Sequence, residues 1–313
     1  MVTLAQLIKL HDYITRYEWD TYRYPSQYIR LKQDNWTKLY DRWLNPEQAL
    51  EETEMEVETS SSRVSKLKSF WKKDVPNTDE EQKEQPKEEL PGTEEELKHY
   101  FLDELFDFQI KWATSTVTER SIMNKKLLED PLLKFFLQRF PDSYLLMYFP
   151  IFSIKKAPVD GEILLISPLG IEIIYMAEAE KGASFIAGEE RTWTVKGEKD
   201  SRKLLNPLIA LKRTEQIVRS ILRTKSIDFP IQKTVLSRTN LIINHYKPYQ
   251  TNIIDQRTFK EWFQAKRTLS APLKSSQLKA ADALLSHCQT TSVKRPEWEE
   301  EAITFTFADD DKN

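Results

Sequence analysis

A mixed α/β fold, with a central sheet flanked by helices, is the class this sequence predicts. Two observations carry that expectation. Residues 159–177 read as two apolar strands, 162–166 and 171–177, joined by a turn over Ser167, Pro168, Leu169 and Gly170. Isoleucines crowd both strands, and β-branched side chains suit a pleated, buried surface, while Pro and Gly punctuate the turn. The second observation is that short strand patterns alternate with segments of helical period on both sides of this hairpin.

In chain order, Leu4, Leu7, Ile8, His11 and Ile14 recur at three and four residues, so 3–20 is expected as an amphipathic helix ended by Pro25. Tyr28, Leu31, Trp36, Leu39, Tyr40 and Trp43 mark a second helical stripe. Residues 1–45 are therefore expected as an aromatic-rich helical hairpin. Two short helices cannot bury so many rings alone. That hairpin is expected to meet a protein partner or the main domain.

Residues 46–92 change character, and 46–95 hold 15 acids against 7 bases. With little to bury, 46–92 is expected to be an acidic, disordered linker. Order should resume at Thr93, which with Glu96 matches a capping box, and continue through Leu97, Phe101, Leu105 and Phe108. A further helix is expected to about Leu128. Asp130 followed by Pro131 opens another, Asp as N-cap and Pro at N1. Strands are expected over 144–152, 185–187, 192–195, 231–236, 241–245 and 252–255, and helices over 206–223, 258–266 and 276–288. The domain is expected to span 93–290, leaving an acidic tail over 291–313 whose residues 303–307 alternate like a strand.

The net charge of −3 hides an asymmetry, for residues 201–280 hold 16 bases and 4 acids. Lys155, Lys156, Arg202, Lys203, Lys212, Arg213, Arg219 and Arg223 are the candidates to contact phosphate of DNA or RNA. One cysteine, Cys288, excludes an internal disulfide framework and fits a reducing compartment. No run of apolar residues reaches membrane-spanning length and the N-terminus has no signal-like pattern. A cytoplasmic protein is expected, with no membrane contact. The four histidines show no metal-ligand spacing, and six glycines make no phosphate-cradling loop.

From about residue 128 to 265 the order of features resembles the nuclease-related domain, or NERD, family of the PD-(D/E)xK superfamily. The resemblance rests on Ile166 to Ile174 with its Pro168-Leu169-Gly170 turn, on Trp193, on Asn206-Pro207-Leu208, on Val235-Leu236-Ser237 and on Thr258 to Phe263. It implies a restriction-endonuclease-like core, Mg²⁺ held by carboxylates, and a lysine that activates water. Counted from Gly170, the family's Glu-x-Lys positions fall on Tyr175 and Ala177. Its strand acid falls on Glu162, its helix-opening Glu on Asp130, and a helical Gln on Ala210. The working pair is thus replaced, which implies a degenerate, catalytically inactive domain, in a bacterial cytoplasmic protein, that binds protein or nucleic acid. No metal or other cofactor is then expected. The alternative is an active Mg²⁺-dependent nuclease in which Glu162 holds the metal and Glu178 or Glu180, with Lys181, has taken over by migration.

Overall fold

The computed structural model describes residues 3–45, 90–155, 157–244, 246 and 248–295. The chain divides into two compact units, one of residues 1–29 with 102–313 and one of residues 30–101. In chain order the described elements are β1 (Gln6–Leu10), α1 (Tyr24–Leu44), α2 (Glu94–Trp112), β2 (Glu119–Arg120), α3 (Pro131–Arg139), β3 (Leu145–Tyr148), β4 (Ile151–Ile154) and β5 (Ala157–Asp160). There follow β6 (Ile163–Ser167), β7 (Gly170–Met176), β8 (Ser184–Ala187), β9 (Thr192–Lys196), β10 (Ser201–Leu205), α4 (Pro207–Thr224), β11 (Ile231–Leu236), β12 (Leu241–Asn244), β13 (Thr251–Ile254), α5 (Phe259–Arg267), α6 (Ser275–Leu285) and β14 (Val293–Lys294).

The larger unit is built on a six-stranded mixed sheet in the order β1-β3-β6-β7-β11-β13. The hairpin β6–β7 lies at its centre, antiparallel, with Ser167 opposite Gly170 across the turn. β11 runs parallel to β7, and β13 parallel to β11. Gly170 has φ +159°, and a Cβ there would lie 2.8 Å from the Pro230 carbonyl oxygen, so the turn leaves no room for a side chain. A second sheet of four strands, β10-β9-β8-β12, joins β8 and β12 in parallel across a long stretch of sequence. β11 and β12, neighbours in the chain, therefore belong to different sheets.

The helix expected over 3–20 is instead strand β1 with a 3-10 turn at Arg16–Glu18. All five β1 residues are buried, and a strand buried on both sides carries no period-2 signature. Its two polar residues made the apolar remainder look helical. Gln6 is satisfied by the Pro25 and Asp142 carbonyls. Lys9 is satisfied by Glu18 at 2.6 Å and the Thr290 hydroxyl at 3.0 Å. Gln109 of α2 fastens the strand further, accepting from Leu7 N–H and donating to the Ala5 carbonyl and the Tyr28 hydroxyl. The first residues are thus sheet, not half of a helical hairpin.

Other expectations hold more closely. Thr93 and Glu96 close the capping box at the start of α2. Asp130 caps α3, accepting from Leu132 N–H at 2.8 Å and Leu133 N–H at 3.3 Å. Asn206 caps α4 by accepting from Leu208 N–H. The helix expected to Leu128 is replaced by β2 and a 3-10 turn at Lys125–Glu129. Residues 291–295 belong to the body rather than to a tail, since Val293 and Lys294 pair with Arg120 and Glu119. The acidic linker over 46–89, Lys156 and the strand expected over 303–307 lie outside the described residues.

Within the smaller unit, Trp36 packs on Tyr40 and Phe101 with ring centroids 5.7 and 5.2 Å apart. Trp43 donates its indole N–H to the Pro91 carbonyl at 2.6 Å. Leu31, Trp36, Leu39, Tyr40 and Trp43 of the α1 stripe are half-buried.

Candidate functional site

The carboxyl ends of β7 and β11 and the start of β6 meet at one end of the central sheet, where Glu162, Tyr175 and Ala177 lie. Side chains of β7 alternate between the two faces. Glu172 points toward α5, where the Trp262 indole and the Lys266 ammonium reach it. Tyr175 takes the opposite parity, toward Glu162 and α4.

Glu162 sits just before β6 and is fixed by its backbone, whose N–H donates to the Thr214 hydroxyl of α4 at 3.2 Å. Its side chain is 12% exposed, and Arg213 Nη2 approaches to 3.9 Å. Burial pushes the carboxyl up to about 7, with Arg213 opposing and Asp160 adding to the rise. Tyr175 is half-buried beside it, and its phenol is raised by burial and by the nearby Glu162 charge. Ala177 is buried and holds its place in the sheet, its N–H donating to the Leu236 carbonyl at 2.8 Å.

The remaining acids are engaged elsewhere. Asp130 spends one oxygen on the cap of α3 and accepts from the Tyr148 hydroxyl on the other at 2.6 Å. Burial and this bond hold the Tyr148 phenol well above its usual range. Glu178 receives a two-pronged grip from Arg238, at 2.6 Å from Nε and 2.8 Å from Nη2, and accepts from the Arg238 N–H as well. Burial alone would raise the Glu178 carboxyl, but these bonds hold it below the ordinary value. The same pair raises Arg238, whose guanidinium lies 4.8 Å over the Phe135 ring. Glu180 is exposed, 3.9 Å from Arg202, and Lys181 is exposed beyond it. Of the migration candidates, then, Glu178 is paired with Arg238 and Glu180 lies by Arg202.

Four groups at this end carried no sequence signal. His11 closes β1 with φ +47°, and Phe149 closes β3 with φ +45°, both in the left-handed region. Their rings stack at 6.2 Å. Burial lowers the His11 imidazole, while the charges of Asp12, Asp130 and Asp160 pull the other way. Backbone strain of this kind gathers at functional sites more than elsewhere. Tyr148 and Arg238 complete the group. Among the described residues, no cluster of three His, Cys, Asp or Glu side chains is arranged to hold a metal ion.

The described basic candidates fall in three places. Lys212, Arg213, Arg219 and Arg223 lie exposed along α4, with Leu208 half-buried beside them and Arg219 paired to Glu215 at 2.7 Å. Arg202 and Lys203 lie on β10, a strand absent from the sequence expectation, and Lys203 donates to the Thr194 hydroxyl. Lys155 occupies the β4–β5 turn with φ +51°. Among the described residues, no helix is long and apolar enough to cross a membrane.

No family model matches the chain, and no solved structure matches it. It is similar to an RNA 2',3'-cyclic phosphodiesterase of Geobacillus stearothermophilus, at 37% identity over 114 residues, which are 34% of this chain and 36% of that protein. The chain thus spans about a third of the length of that curated relative.

Proposed function

We propose that this protein is a nuclease-like, NERD-like domain on a restriction-endonuclease-like core that has lost its cleavage chemistry and serves as a binding module. The observation that carries this reading is the occupancy of the sheet end. Tyr175 and Ala177 stand where a carboxylate and a lysine would share a metal, and Glu178 is already neutralised by Arg238. A hard divalent cation needs several oxygens converging, and Glu162 offers one carboxylate in a largely buried place. Nucleic acid would lie along the exposed bases of α4, where Arg213 leads from the helix surface to Glu162. The aromatic N-terminal segment would serve a protein partner, and a bacterial cytoplasmic setting follows from the family reading. Incubation of DNA and RNA with the protein and Mg²⁺ or Mn²⁺ tests the loss of chemistry. No cleavage above background is expected. Cleavage abolished by Glu162→Ala would instead restore the alternative of an active Mg²⁺-dependent nuclease.

One observation favours a second reading. A carboxyl held at about 7 is half-ionised near neutrality, the condition a general acid or base needs. With Arg213 and the Tyr175 hydroxyl beside it, such a group can serve hydrolysis of a phosphodiester without metal, and the relative from Geobacillus stearothermophilus is named for a cyclic phosphodiesterase activity. Opening of a nucleoside 2',3'-cyclic phosphate in the presence of a metal chelator, lost in Glu162→Gln, would favour it over the binding module.

A further inference from the structure

The amino ends of β7, β11 and β13 border a cleft of about 820 Å³, at the opposite end of the strands from Glu162. That volume falls in the range of small-molecule sites, roughly 300–1,000 Å³. None of Asp130, Glu162, Tyr175 and Ala177, on which the family's catalytic positions would fall, lines it. We propose that this cleft binds a nucleoside monophosphate.

Its lining supplies each kind of contact such a ligand requires. The cations Arg219 and Lys266 both reach the wall. Arg219 shares the single carboxylate of Glu215 with Lys233, at 2.7 and 2.6 Å, so the trio carries one surplus positive charge beside the cleft for a phosphate. Asp228, exposed on the same wall, is an acceptor suited to ribose hydroxyls. Gln232, Gln250 and Asn252 each present a carboxamide, a donor and an acceptor together, and all three are exposed. Side chains of this kind read the polar edge of a base. Phe229, Pro230 and Pro248 offer flat apolar surface for its face.

Deeper in, Glu172 is 4% exposed, with Oε1 accepting from the Thr234 hydroxyl and the Trp262 indole. Its Oε2 is ion-paired with Lys266 at 2.5 Å, which fixes the ammonium at the floor of the cleft. A buried carboxylate costs free energy and is seldom placed for packing alone. The rim adds strain, for Gln250 adopts φ +48° next to Tyr249, which is 82% exposed. These features are independent of the degenerate nuclease end, and the outcome below does not depend on the cleavage assay.

The test is calorimetric titration of the full chain with AMP, GMP, CMP and UMP in turn, alongside the parent nucleosides and inorganic phosphate. At least one monophosphate is expected to bind with a Kd below about 1 mM, and about tenfold or more tighter than its nucleoside or phosphate alone. Asn252→Ala and Gln250→Ala, both at exposed positions, should each weaken it several-fold without shifting Tm. Absence of binding by all four monophosphates, equal binding of inorganic phosphate, or an affinity unchanged in both variants would overturn the proposal.

Discussion

Replacing Glu162 by glutamine should stabilise the protein at pH 8 and change little near pH 4. The Glu162 carboxyl is buried against α4 and pushed up to about 7 from the ordinary 4.5. Below 4.5 both the folded and unfolded forms carry the proton, so the group contributes no pH dependence. As the pH rises from 4.5 to about 7 the unfolded chain releases its proton while the folded protein keeps it. Stability therefore falls across this window and levels off above it. At 1.36 kcal/mol per pH unit the full loss is about 3 kcal/mol, and the gain of the variant at pH 8 is smaller because Arg213, at 3.9 Å, loses its partner there. Glutamine keeps the shape and cannot ionise, so its profile should lack this fall. Urea denaturation of both proteins from pH 4 to 8 reads the difference directly. Parallel profiles, or a Glu162 carboxyl resonance titrating near 4.5, would refute the reasoning.

Three further outcomes follow from the geometry. Lys9→Ala removes a fully buried ammonium from Glu18 and Thr290 in the centre of β1, and should cost about 3 kcal/mol by chemical denaturation. Asp130→Ala removes both the α3 cap and the acceptor of the Tyr148 hydroxyl, for about 2 kcal/mol, whereas Tyr148→Phe should cost about 1 kcal/mol. If nucleic acid lies along α4, Lys212→Ala and Arg223→Ala should each weaken binding alike for all sequences. Each should also reduce the slope of log affinity against log salt by about 1, and an unchanged slope removes those residues from the interface.

The hairpin, the caps at Asp130 and Asn206 and the capping box at Thr93 were legible because each is local: a turn residue or an oxygen meets an N–H two or three residues on. β1 was not, because Gln6 and Lys9 are satisfied by partners as remote as Asp142 and Thr290, and such pairings leave no mark on local periodicity. β10 was missed for the opposite reason. Ser201, Arg202 and Lys203 are exposed and polar, and only pairing with β9 makes them strand. At the candidate site, strand parity correctly separates Glu172 from Tyr175. Arg238 carries no local signal because it lies in a polar Ser-Arg-Thr-Asn run that reads as a turn. Its role appears only when β11 lies beside β7 and brings it to Glu178.

If the protein is nuclease-like, its missing pair can be rebuilt at 175 and 177. A glutamate at 175 would face Glu162, and two carboxylates sharing a largely buried place repel unless a cation joins them. Under the proposed function, tyrosine relieves that repulsion and fills the volume. Restoring the pair as Tyr175→Glu with Ala177→Lys should therefore destabilise the metal-free protein at pH 8. Part of that cost comes from Ala177, whose buried position forces a lysine stem outward along the strand end. If the sheet end keeps the nuclease geometry, millimolar Mn²⁺ should return part of the lost stability by binding the folded state alone. The return should be absent when Glu162→Gln is added. A double variant whose Tm is indifferent to Mn²⁺ would separate this site from the metal geometry of the family it resembles.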